Sequence, residues 1–362
     1  MTGYILYGSQ ASLFTGKVRG YMNWKGLVFE EHAVNETIMK TVILPHVGWP
    51  VIPVLQTPDG RIVQDTADII AEIESTNPEP SVMPDGPMQQ FASLLMQVFG
   101  DQWLLLPAMH YRWNYNEDWI FTEFGRSSAP DAPANEHYSI GKQRGEKFRA
   151  MVPLLGIDET TIPGIEASYE QFLAEFSAHL ENSKYVFGDR PTLADFALLG
   201  PLYAHLYRDP ASRDIMEQVA PNVARWTERT ISGQNRNGDL TRKDAIPETL
   251  LPIFQRHAAE HFPVLAATNN LFGKWCETAS SGDEVPRSFG IVPFVAGGCE
   301  GKTLALSFSL FRLQAALDAL ESLSGSDRKA AGAFLASIHG EDLLSFNMSH
   351  RLERKNCKLC LA

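Results

Sequence analysis

Near the N-terminus the apolar residues alternate between short runs and helical repeats. Tyr4-Ile5-Leu6-Tyr7 is an apolar run closed by Gly8-Ser9, the pattern of a buried strand and its turn. From Phe14 to Lys25, Val18, Tyr21 and Met22 recur at i, i+3 and i+4, which predicts a helix, and Gly26 stands where a left-handed cap residue would end it. Leu27-Val28-Phe29 reads as a second strand, giving a β-α-β unit with parallel strands and a right-handed crossover. Val51-Ile52-Pro53-Val54-Leu55 and Arg61-Ile62-Val63 flank Thr57-Pro58-Asp59-Gly60. That is a hairpin signal, because proline presets the first turn φ and glycine accepts a positive one. Asp65-Thr66 then opens a helix over Ala67 to Ser75 whose apolar face is Ile69, Ile70 and Ile73.

Beyond this point the periodicity changes. Asn77 to Pro87 carries four prolines and reads as a linker. From Met88 to about Ile231 the pattern is helical, with apolar stretches at 88–106, 146–156, 163–182 and 192–208 and an exposed loop over 127–136. Ser232 to Asp244 is a second polar boundary. After it, Leu250 to Phe262, Thr303 to Leu323 and Arg328 to His339 read as helices, and Ser288 to Val295 as an irregular strand. The expected organisation is an α/β domain at 1–77, an all-helical domain at 88–231 and a mostly helical extension at 245–362.

A chain of 362 residues is long enough for more than one core, and its 44% hydrophobic and 20% charged content is that of a folded globular protein. A net charge of −12 weighs against nucleic acid or an anionic membrane surface as the main partner. The basic residues near the end, Arg351, Arg354, Lys355 and Lys358, read as a solvated tail. No apolar run reaches the ~18–20 residues of a membrane helix. The first residues lack the basic and apolar regions of a secretory signal, and four cysteines are too few for a disulfide scaffold. These features predict a cytoplasmic protein with no nucleic-acid or membrane partner.

Three local motifs give the chain a likeness. They are Ser12-Leu13-Phe14-Thr15-Gly16-Lys17-Val18-Arg19, Val51-Ile52-Pro53 and Gln64-Asp65-Thr66. In this order, and followed by a helical region, they resemble the cytosolic glutathione transferase superfamily up to about Ile231. The resemblance implies a thioredoxin-like α/β N-terminal domain, then an all-α glutathione-transferase-like domain. The mostly helical extension has no counterpart in it. It also implies glutathione as co-substrate, no metal, and a homodimer. Ile52 and a cis Pro53 would hold the cysteinyl part of the tripeptide, and Asp65 and Thr66 its γ-glutamyl end. Ser12 would be the catalytic hydroxyl.

Each role has a physical basis. An extended peptide exchanges main-chain hydrogen bonds with a strand. A helix N-terminus attracts a carboxylate through its unpaired N–H groups and the positive end of the dipole. A free thiol ionises near pH 8.5, so a hydroxyl donating to the thiolate, beside a helix N-terminus, favours the nucleophilic form. Ser9, Thr15 and Tyr7 are rivals to Ser12. No cysteine precedes Cys276, which excludes a cysteine-type mixed disulfide in this domain. Tyr7, His110, Tyr111 and Trp113 could line a pocket for the second substrate, a packed aromatic core being the alternative. Thr192 and Asp195, three apart in Pro191-Thr-Leu-Ala-Asp-Phe196, resemble the family's buried capping box and are given no chemistry. The expected function is conjugation of glutathione to a small electrophilic hydrophobic or aromatic compound. A non-catalytic binding or interaction protein, or a glutathione-dependent isomerase or reductase, is the alternative.

Three patterns in the extension are set aside at this stage. Ala296-Gly-Gly-Cys-Glu-Gly-Lys-Thr303 is a relaxed phosphate-loop match without a surrounding parallel sheet. His257-Ala-Ala-Glu-His261 has an inverted zinc-protease spacing but no third ligand, and is expected on a helix surface. Cys357-Lys-Leu-Cys360 is expected in a frayed tail with both thiols exposed.

Overall fold

The alternation of runs and helical repeats becomes β1 (Tyr4–Gly8), α1 (Leu13–Lys25), β2 (Phe29–Ala33), β3 (Val54–Gln56), β4 (Ile62–Gln64) and α2 (Thr66–Thr76) in the structure, a computed structural model that describes residues 3–362. The sheet order is β2-β1-β3-β4. β1 runs parallel to β2 and antiparallel to β3, which pairs antiparallel with β4. Gly26 ends α1 at φ 67°, a left-handed value that glycine adopts without a Cβ clash. The hairpin closes with Gly60 at φ 87°, its N–H donating to Thr57 O at 2.8 Å. The second strand starts two residues later than the apolar run suggested. Val28 is 85% exposed, and β2 reaches Ala33 because it pairs along the whole of β1.

Helices follow at α3 (Pro87–Val98), α4 (Leu105–Tyr115), α5 (Glu117–Ser128), α6 (His137–Arg149), α7 (Ile162–His179), α8 (Leu193–Pro201), α9 (Pro210–Val219) and α10 (Pro221–Ile231). The last third adds α11 (Phe262–Cys276), the hairpin β5 (Ser288–Ala296) and β6 (Cys299–Leu306), α12 (Ser307–Ser322), α13 (Gly325–Ser337), and the hairpin β7 (Leu352–Lys355) and β8 (Lys358–Leu361). By contacts the chain divides into two units that interleave along the sequence. One takes the chain up to Val82, then Ala108–Val152 and Asp195–Gly238; the other takes Met83–Pro107, Pro153–Ala194 and Asp239–Ala362.

In the first unit the sheet and α2 pack with α1, whose Tyr21 and Trp24 are fully buried. Both rings meet Phe196 at 5.6 Å, the first edge-on, an arrangement that adds to simple burial. α5 and α6 approach each other through glycine. A Cβ on Gly141 would lie 1.6 Å from the Phe121 carbonyl oxygen, and one on Gly125 1.8 Å from that of His137.

In the second unit a core of Phe272, Cys276, Val285, Leu310, Leu352, Leu359 and Leu361 gathers α11, α12 and the C-terminal hairpin. Two expectations are corrected here. The helix expected from Thr303 begins at Ser307, because Thr303 and Ala305 are buried in alternation with Leu304 and Leu306, a period of two that continues β6. The C-terminus is not frayed: Asn356 and Cys357 turn the chain with φ 49° and 62°, and Cys360 is 7% exposed in β8. Of its basic residues, Arg351 pairs with Asp318 at 2.6 Å, Lys355 with Glu353, and Lys358 with Glu284 at 2.5 Å.

Candidate functional site

Strand direction brings the three motifs together. β1 ends at Gly8, β3 begins at Val54 opposite Tyr7, and β4 ends at Gln64 opposite Val54. The segments after β1, before β3 and after β4 therefore leave the sheet at one end, and α1 and α2 both start there. Ser12, Ile52-Pro53 and Asp65-Thr66 belong to these segments. Two helix N-termini at one sheet end present unpaired N–H groups and two positive dipole ends to the same region.

Ser12 is the N-cap of α1, and its Oγ accepts the Thr15 N–H at 3.2 Å. An accepting oxygen leaves the hydroxyl proton available to donate. The Ile52-Pro53 peptide is cis and lies just before the paired stretch of β3; a second cis bond, Glu79-Pro80, lies in the linker. Asp65 caps α2, accepting the Ala67 N–H at 2.9 Å, while its own φ is 85°. A positive φ at a residue with a side chain is a strained state that persists where function or packing holds it. Asp65 is 8% and Thr66 2% exposed.

The rival hydroxyls differ in their surroundings. Thr15 is fully buried; its methyl carbon lies 2.2 Å from where a Cβ on Gly8 would stand, so only glycine fits there. Its Oγ1 accepts the Ser9 N–H at 3.4 Å. Tyr7, 6% exposed, donates its hydroxyl to Gln56 Oε1 at 2.8 Å, and burial pushes that phenol's pKa up. Ser9 and Ser12 are both half-buried.

The glutathione S-transferase N-terminal domain matches residues 6–81, and the glutathione S-transferase C-terminal domain matches residues 159–229. These two stretches carry the N- and C-terminal domains of the glutathione transferase superfamily, and neither match reaches the last third of the chain. Among solved structures it is similar to a glutathione S-transferase from Methylobacterium radiotolerans in complex with glutathione sulfonate, at 22% identity over 67% of this chain and 99% of that one, with a TM-score of 0.38. A GST-like protein from Pseudomonas syringae is 16% identical over 85% of this chain and 98% of its own, with a TM-score of 0.42. A family member from Pseudomonas fluorescens with two glutathione molecules bound is 14% identical over 64% of this chain and 92% of that one, with a TM-score of 0.40. No curated protein matches the chain.

Three of the expected second-substrate residues lie together on α4. His110, Tyr111 and Trp113 on α4 are 1%, 1% and 2% exposed. Tyr111 stacks on Tyr115 at 5.6 Å, Trp113 packs on Phe121 at 5.4 Å, and His110 bonds Asn114 at 2.8 Å. Burial and ring packing place these three in the interior, as the packed-core alternative describes.

One residue of that helix reaches the site segment instead. Arg112, 2% exposed, donates from Nη1 to the carbonyl oxygen of Ala11 at 2.7 Å, immediately before Ser12. Its Nε and Nη2 meet the two oxygens of Asp209 at 2.7 and 2.8 Å. Nη1 also meets His205 Nε2 at 2.8 Å, and Nη2 meets Ala204 O at 2.6 Å. Burial and the neighbouring Arg112 and Arg208 charges hold His205 neutral, as a nitrogen accepting from a guanidinium must be. Burial pushes the Asp209 carboxyl up, and Arg112 opposes that shift. On the other side of the loop, Arg19 pairs with Glu31 at 2.5 Å and donates to Ser9 O at 3.3 Å. Nothing in the sequence ties Arg112 to these partners, because they lie up to 101 positions away.

The patterns set aside in the extension have structural explanations. Gly297 and Gly298, at φ 52° and 82°, make the two-residue turn between Ala296 and Cys299, so these glycines serve a hairpin. His257, Glu260 and His261 are not on a surface: they lie in a π-helical turn (His257–His261) and are 1%, 8% and 2% exposed. Glu260 Oε2 accepts from Trp103 Nε1 at 2.9 Å and Ser168 Oγ at 2.8 Å, and Oε1 from the Gly297 N–H at 3.0 Å. The histidines bond each other at 3.1 Å, and burial holds both neutral, His261 down to about 3. The adjoining cavity, lined by Phe99, Trp103, Tyr169 and Arg256, measures about 10 Å³, too small for a substrate. Among the described residues no group of three His, Cys, Asp or Glu side chains is placed to hold a metal, and no helix is long and apolar enough to cross a membrane.

Proposed function

We propose that this chain binds glutathione at the end of the sheet where the segments around Ser12, Ile52-Pro53 and Asp65-Thr66 meet, and conjugates it to a small electrophilic hydrophobic or aromatic compound. The observation that carries this reading is the convergence of three loop segments and two helix N-termini at one sheet end. There the γ-glutamyl carboxylate would meet the start of α2, with Asp65 near the amino group, and the cysteinyl main chain would meet Ile52. The thiol would lie by the start of α1, where a half-buried serine hydroxyl and the helix dipole favour thiolate over thiol. Ser12 is the preferred hydroxyl: Thr15 is sealed beneath Gly8, and Tyr7 is committed to Gln56. Ser9 is the remaining rival. Rate would come from proximity and the ionised nucleophile, with glutathione as co-substrate and no metal. We place the protein in the cytoplasm, as a homodimer.

The test is binding followed by thiol titration. The reading predicts retention on immobilised glutathione, loss of retention in Asp65→Ala, and a thiol pKa for bound glutathione below that of free glutathione. Retention with an unshifted thiol would make the chain a glutathione-binding protein without conjugation chemistry. Failure to bind would remove the reading altogether.

A further inference from the structure

We infer that Arg112 is a positioning residue for the thiol-activating segment: by holding the Ala11 carbonyl it sets the direction of Ser12 at the start of α1. The inference rests on the glutathione reading above and adds to it a residue outside the three motifs. The segment Ser9–Ser12 lies between β1 and α1; Arg19 and Thr15 hold it at Ser9, at 3.3 and 3.4 Å, but neither reaches Ala11. Ser9 O accepts the Ser12 N–H at 3.1 Å, Ser9 Oγ the Ala11 N–H at 3.3 Å, and Ser12 Oγ the Thr15 N–H. A hydroxyl stabilises a thiolate only when its O–H points at the sulfur, so this loop's freedom translates directly into lost thiolate stabilisation.

Arg112 removes that freedom through an unusually complete set of bonds. Its guanidinium offers five N–H donors, and five acceptors meet them: two Asp209 oxygens, Ala204 O, His205 Nε2 and Ala11 O. Four of the five come from residues 204–209 and fix the planar fork. The fifth reaches the loop. A lysine ammonium has three donors on a flexible stem and cannot meet all five acceptors. Arg112 donates to a main-chain oxygen and not to the reacting group, so its effect acts through Ser12.

The experiment compares wild-type protein with Arg112→Lys, Asp209→Asn and His205→Gln. Each is read by melting temperature, by the thiol pKa of bound glutathione from thiolate ultraviolet absorbance, and by the pH profile of kcat/KM with a model electrophile. Val223→Ala, at a fully buried apolar position on α10, serves as a control that lowers stability without touching the loop. Arg112→Lys is expected to raise the bound thiol pKa by about one unit, a loss of kcat/KM that approaches about tenfold at pH below both thiol pKa values and that alkaline pH restores. Asp209→Asn, which loosens the fork, should shift it in the same direction by less. His205→Gln keeps an acceptor and should stay near wild type. Should Arg112→Lys not fold, Asp209→Asn carries the comparison. A folded Arg112→Lys or Asp209→Asn with the wild-type thiol pKa overturns the inference, as does an equal shift in Val223→Ala, which would mark a general effect of stability. Absence of binding or of a lowered thiol pKa in wild type would instead strike at the glutathione reading itself.

Discussion

Asp65 is where local geometry and proposed chemistry meet most tightly. Its carboxylate caps α2 while its backbone sits at φ 85°, a conformation costing of order 1–3 kcal/mol that a side-chain-bearing residue adopts only under constraint. Asp65→Gly should relieve the backbone but remove the cap and the carboxylate. Glutathione affinity is therefore expected to fall at least tenfold while the melting temperature changes little, as read by calorimetric titration and thermal unfolding. Ser12 separates two functions in a similar way. Ser12→Ala loses an N-cap bond worth about 1 kcal/mol and the hydroxyl offered to the thiol, so stability drops slightly and the bound thiol pKa rises. Ser12→Asp keeps the cap but brings a charge, and should raise that pKa further by repulsion. If Ser9→Ala raises the bound thiol pKa and Ser12→Ala leaves it unchanged, the hydroxyl belongs to Ser9.

At the scale of elements, α5 and α6 show a contact that a hydrophobic pattern does not encode. A methyl at Gly141 would stand against a main-chain oxygen that cannot rotate away, so Gly141→Ala should cost at least the ~1–3 kcal/mol of an overpacked core, read as a lowered urea midpoint with glutathione binding retained. Legibility also varies by element. The β-α-β and β-β-α segments were readable because periodicity, a glycine cap and a Pro-Asp-Gly turn agreed with one another. β6 was misread because Thr303-Leu-Ala-Leu306 is too short to tell a two-residue period from a helical one. The β7–β8 turn uses Asn356 and Cys357 in left-handed conformations without a glycine to announce it. The π-helical turn at His257–His261 depends on what Trp103 and Ser168 offer Glu260, and those partners lie 157 and 92 residues away. For the site, motif spacing disclosed the three segments that meet. It could not rank the hydroxyls, because Thr15's burial under Gly8 depends on how closely α1 lies against β1.

Across the whole molecule, four histidines share one property. Burial lowers the pKa of His179, His205, His257 and His261 in the folded chain, so all four stay neutral where an unfolded histidine, near pH 6.5, takes a proton. The unfolded state then binds more protons, and stability rises with pH in this range. The contribution is complete above about pH 6.5 and is lost as pH falls, at up to about 1.4 kcal/mol per histidine per pH unit. Thermal unfolding should therefore show a steep fall in melting temperature between about pH 6.5 and pH 5, before carboxylates titrate. Substituting His261 by Phe should flatten that slope, and an unchanged slope would remove His261 from this account.

The bond from Arg112 to Ala11 also bears on how the protein is made. Ala11 is synthesised early, Arg112 after it, and Asp209, which fixes the guanidinium, later still. Domains tend to fold as they emerge from the ribosome. Here the Ala11 carbonyl waits for a fixed guanidinium until nearly two hundred further residues have been added. A nascent chain would thus carry its sheet long before the bond from Arg112 to Ala11 can form, so the final setting of the β1–α1 loop arrives with the helices and not with the strands.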